Sequence, residues 1–73
     1  MFDKQQTYSL KDIREIAGKR LVSSYFIAAN SSKSGKTERG FDIKNCDGAS
    51  ACFVFLGTNN KYKLERIEYY GGS

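Results

Sequence analysis

Five consecutive apolar residues, Cys52–Leu56 (CFVFL), constrain the fold of this chain more than any other feature. An unbroken apolar run of that length, rich in aromatics and followed by Gly57-Thr58-Asn59-Asn60, is the pattern of a central strand buried on both faces. Such a strand needs a neighbour on each edge and cover above and below. The chain has 73 residues, enough for one small domain, so the remaining segments must supply those neighbours and that cover. Ten aromatic residues, five Phe and five Tyr, carry much of the available burial, and there is no proline.

Upstream, Phe41–Cys46 alternates, with Phe41 and Ile43 on one side and Asp42 and Lys44 on the other, which predicts a half-buried strand. Downstream, a turn at Gly57–Asn60 leads into a last strand, Lys61–Tyr70. Its alternation is imperfect because Leu64 and Ile67 differ in parity, so a bulge or a helix stays open there. Near the start, Thr7–Arg20 reads as a short helix: Ser9 suits the N-cap, Asp12 the N3 position, and Leu10, Ile13, Ile16 and Ala17 form one apolar stripe. Gly18 suits the end of that helix, followed by Lys19 and Arg20 at its negative pole. Leu21–Ala29 supports two readings. Val22, Tyr25, Phe26 and Ile27 favour a strand, whereas a helical stripe continued through Gly18 would cost only about 1 kcal/mol at that glycine. Asn30–Gly40 (NSSKSGKTERG) has the composition of a flexible loop bearing Lys33, Lys36 and Arg39, and the tail Gly71–Ser73 is expected to fray. The sum is an α+β fold: one short N-terminal helix packed on a roughly four-stranded antiparallel sheet, α-β-β-β-β, as a single domain over residues 1–73.

Two local motifs bear on function. Ser34-Gly35-Lys36-Thr37 ends like the phosphate-binding loop G-x-x-x-x-G-K-[ST], but Asn30 stands where the first glycine belongs and a strand rather than a helix follows. Tyr8–Lys19 (YSLKDIREIAGK) resembles the opening helix of helix-turn-helix repressors and activators. That family requires a recognition helix next, and Arg20–Ile27 reads instead as strand, so no family is assigned.

Catalytic chemistry has little to draw on. The chain has no histidine, and its serines lack a partnered base. Asp12 and Glu15 sit among Lys11 and Arg14, as on a solvated helix face. Cys46 and Cys52 alone fall short of a zinc site, so no cofactor or metal is expected. They would face each other only if Asp47–Ala51 formed a five-residue loop; a two-residue turn at Asp47-Gly48 would separate them, and unbridged thiols are favoured. With no signal-peptide pattern and no long apolar segment, a cytoplasmic location without membrane contact is the expectation.

What remains is surface. The formal charge of +4 arises from twelve basic and eight acidic residues. Basic groups cluster at Lys33, Lys36 and Arg39 and again at Lys61, Lys63 and Arg66, the second set interleaved with Tyr62, Tyr69 and Tyr70. Tyrosines and arginines of this kind anchor protein interfaces, whereas aromatics among cations also stack single-stranded nucleic acid. The acids Glu38, Asp42, Glu65 and Glu68 among them weigh toward the first use. The sequence therefore predicts a non-catalytic binding protein, a modulator or inhibitor of the phage or mobile-element type that docks onto a larger protein or nucleoprotein complex. Direct binding of RNA or DNA is the alternative, and the oligomeric state stays open, a dimer included.

Overall fold

The computed structural model describes residues 2–30, 35–45 and 48–69. Helix α1 (Leu10–Ala17) is followed by a single 3-10 turn (Gly18–Arg20) and then by strands β1 (Leu21–Asn30), β2 (Lys36–Lys44), β3 (Ser50–Thr58) and β4 (Lys61–Tyr69). The strands form one antiparallel sheet in the order β1-β2-β3-β4, so the apolar β3 is internal and β1 and β4 are the edges. This is the α+β architecture expected, and Leu21–Ala29 resolves to strand. Among the described residues no helix is long and apolar enough to cross a membrane.

The helix starts at a reciprocal capping box. Ser9 Oγ accepts from the Asp12 amide at 3.0 Å, and Asp12 Oδ2 accepts from the Ser9 amide at 3.2 Å, satisfying two amides that the first turn leaves without helical partners. Replacing Ser9 by Ala is expected to lower the unfolding free energy by about 1 kcal/mol, measured as a shifted urea midpoint with an unchanged slope. Gly18 stops the helix with φ 57°. Eight helical residues cannot cover four strands. α1 begins beside the β3–β4 turn, where the Leu10 amide donates to Asn60 Oδ1 at 2.9 Å, and its chain leads into Leu21, opposite Ile43 at the far end of β2. It therefore crosses the sheet diagonally.

Beneath that diagonal lies the core: Ile13 and Ala17 from the helix against Phe41, Ile43, Ala51, Phe53, Phe55, Tyr62 and Leu64. Ile16, expected in the same stripe, is 42% exposed instead. Residues before the helix complete the cover. Phe2 meets Tyr8, Phe53 and Phe55 edge-on at centroid distances of 5.3, 5.8 and 5.0 Å. Tyr8 pairs with Tyr62 through two backbone hydrogen bonds of 2.7 and 2.8 Å, extending the edge of β4 by one bridge.

Several local expectations are corrected. Asn30 and residues 36–40 are strand, not loop: the polar Lys36, Glu38 and Gly40 positions alternate with Thr37 and Arg39 on an ordinary ladder to β1 and β3. Residues 31–34, with Lys33, lie outside the described set, as do Cys46, Tyr70 and the tail. The turn is Asn59-Asn60 alone, both left-handed at φ 53° and 62°, as a two-residue hairpin of this kind demands. Cys52 stands opposite Asp42, so neither register considered for the cysteines is adopted; Cys52 is a buried free thiol. The parity conflict in β4 is settled by a bulge at Glu65, which returns Ile67 to the face of Leu64.

Candidate functional surfaces

Strand alternation sorts the candidate residues onto two faces. The face away from the helix carries Lys36, Glu38, Gly40, Asp42 and Lys44 of β2, Cys52, Val54 and Leu56 of β3, and Lys61, Lys63, Arg66 and Glu68 of β4. Among the described residues no helix covers it, yet Cys52 and Val54 are buried. Side chains of the sheet itself do the covering. The Tyr25 ring lies over Gly40, where an added Cβ would come within 2.7 Å of it. The Tyr25 hydroxyl donates to Asp42 Oδ1 at 3.1 Å and lies 2.9 Å from Cys52 Sγ, while Ser23 Oγ donates to Asp42 Oδ2 at 2.9 Å.

Arg66, opposite Val54, reaches Glu38 Oε1 on β2 at 3.1 Å, a path that must pass over β3. It also bonds Glu65 Oε1 and Glu68 Oε2, each at 2.8 Å. The hydrogen bond that Arg66 donates to Glu68, and then the one it donates to Glu38, raises the guanidinium pKa further above its ordinary value, so its charge is fixed at every pH the fold survives. Three carboxylates around one guanidinium leave this patch net acidic.

The predicted tyrosine–lysine–arginine surface on the last strand is accordingly split. Lys61 and Lys63 share the open face with Lys36, but Tyr62 between them is turned into the core at 7% exposure. Arg66 is engaged by its three glutamates. Arg39 belongs to the helix-side face, between Phe26 and Phe55. Tyr69, 71% exposed, sits at the opposite end of β4 from the lysines. Lys36, Lys61 and Lys63 do come together, joined by Lys4 from the N-terminal segment, around a hollow of about 530 Å³ beside the Asn59-Asn60 turn.

A second surface was not anticipated. Six large apolar side chains are exposed among the described residues, and four of them, Val22 (57%), Tyr25 (39%), Phe26 (57%) and Ile27 (37%), belong to β1. The diagonal course of α1 explains Phe26: it lies on the helix side of the sheet, opposite Arg39, at a corner the helix does not reach. Val22 and Ile27 stand at the two register shifts of β1.

Comparison with known proteins finds no match: no family model, no curated protein and no solved structure is similar to this chain.

Proposed function

We propose that this chain is a non-catalytic docking module of the modulator or inhibitor type, which seats strand β1 in an apolar, acid-rimmed pocket on a larger protein or nucleoprotein complex. The observation that carries the reading is the concentration of exposed apolar side chains on one edge strand, Val22 to Ile27. A long apolar edge left uncovered is a liability in a small domain unless something binds it. Basic residues border this edge: Lys19 just before β1, Arg39 beside Phe26, and Lys36 at its far end. With the net charge of +4, they favour a partner whose pocket is ringed by carboxylates.

The two register shifts limit how far an added strand could pair along β1, so side chains rather than the backbone supply the anchors, Phe26 foremost. Direct nucleic-acid binding is less well supported, since Tyr62 is buried and Arg66 already bonds three carboxylates. The test is capture of partners on the immobilised chain, comparing wild type with the Val22→Ser/Phe26→Ser variant. A partner held by wild type should bind the variant at least about tenfold more weakly, while Tyr69→Ala changes little. Equal retention by the double variant would refute the β1 assignment. Micromolar binding of oligonucleotides at near-physiological salt, read by fluorescence anisotropy, would transfer support to the nucleic-acid reading.

A further inference from the structure

We infer that the hollow beside the β3–β4 turn is a binding site for a compact polyanion, a chain of two or more linked phosphates, held by Lys4, Lys36, Lys61 and Lys63. Its volume of about 530 Å³ lies within the range of small-molecule sites, about 300–1,000 Å³. The four ammonium groups come from three separate parts of the chain: the segment before the helix, the start of β2 and the start of β4. None has an ion-pair partner among the described residues, in contrast to Arg66 on the same face. Like charges gathered round one hollow repel each other, and an anion placed among them relieves that repulsion. Lysine is a compact point charge that suits phosphate without demanding planar geometry. Leu56 and Gly57 are floor residues contributed by β3.

The surroundings set the size of the ligand. Glu65 is part of the lining itself, with its Oε1 held by Arg66, and Glu38 and Glu68 lie farther along the face that carries the lysines of β2 and β4. A polynucleotide crossing the sheet would meet these carboxylates. The one aromatic between the lysines, Tyr62, is buried on the other face and offers no ring for a base. Recognition therefore rests on phosphates over a short span, and a nucleoside triphosphate and inorganic triphosphate should bind alike.

The experiment is calorimetric titration of the whole chain with inorganic triphosphate, ATP, inorganic phosphate and a twelve-nucleotide single strand, at low and near-physiological salt. Amide chemical shifts are followed in parallel. Expected are a triphosphate dissociation constant of roughly 10–100 µM at low salt, ATP within about threefold of it, much weaker phosphate, and about tenfold loss at higher salt. Shifts should centre on Gly57 to Lys63. Lys61→Ala/Lys63→Ala should weaken triphosphate about tenfold or more, whereas Arg14→Ala/Lys44→Ala, the same change in net charge away from the hollow, should have little effect. The inference is overturned by no binding at low salt, by equal loss in both double variants, or by the oligonucleotide outcompeting triphosphate at equal phosphate concentration.

Discussion

Phe55→Ala is expected to cost about 3–5 kcal/mol of unfolding free energy, the range for removing a fully buried phenylalanine. Phe55 is completely buried. Its ring meets those of Phe2, Phe41 and Tyr8 edge-on, at 5.0, 5.5 and 6.3 Å, so truncation opens a cavity walled by three rings, two from the segment before the helix and one from β2. A chain of 73 residues has a total stability of only roughly 4–11 kcal/mol by ordinary per-residue values. The variant should therefore lose cooperative structure at mild denaturant or body temperature, and Phe2 and Tyr8 should lose their seat with it. Phe26→Ala, by contrast, removes a side chain that is 57% exposed and should change stability by less than about 0.5 kcal/mol. Urea unfolding followed by circular dichroism checks both. A Phe55→Ala protein as stable as wild type would mean that the aromatic cluster is not the core, and a strongly destabilised Phe26→Ala protein would mean that β1 is not an exposed edge.

The contrast between these two phenylalanines marks where the sequence stops being informative. The uninterrupted Cys52–Leu56 run announces a central strand because no solvated face is left for any of its residues, and the observed order places it inside. Ser9 and Asp12 announce a helix start because the hydrogen bonds of a capping box are local. Phe26 and Phe55 are equally apolar; what separates them is strand order and the diagonal path of α1, neither of which any short window encodes. Polar composition misled at Lys36–Gly40 for a related reason. One face of that segment is solvated and Gly40 is covered by a residue from another strand, Tyr25, so the segment carries no apolar pattern of its own. The candidate sites divide in the same way. Lys61 and Lys63 are neighbours on one face by simple alternation, and Lys36 joins them through the β2–β3–β4 register. Lys4 is added by the Tyr8–Tyr62 bridge, a contact across more than fifty residues of chain. Arg66 looked equivalent to those lysines because sequence does not reveal that Glu38 lies across β3 from it.

Gly57→Ala is expected to be among the most damaging single-methyl changes in the molecule. A Cβ at that position would overlap the Lys61 carbonyl oxygen and come within 2.7 Å of Tyr62 Cα. Both obstacles are backbone of β4, so no side-chain rotation relieves them; the paired strands must separate or shift register. Overpacking of this kind costs about 1–3 kcal/mol where side chains can yield, and the upper end or beyond is expected here. The loss should be local in character. Gly57 pairs with Tyr62, which also carries the bridge to Tyr8, so amides of the hairpin end and of the N-terminal segment should exchange fastest in the variant. Gly48→Ala provides the comparison: it has open space around it and a φ of 89°, so its cost comes only from the left-handed backbone, about 1–2 kcal/mol. Denaturant titration with amide exchange on both variants separates the two causes. If Gly57→Ala proves no more costly than Gly48→Ala, with the hairpin amides still protected, then Gly57 and Tyr62 are not in register, and the hollow between Lys36, Lys61 and Lys63 does not have the shape described.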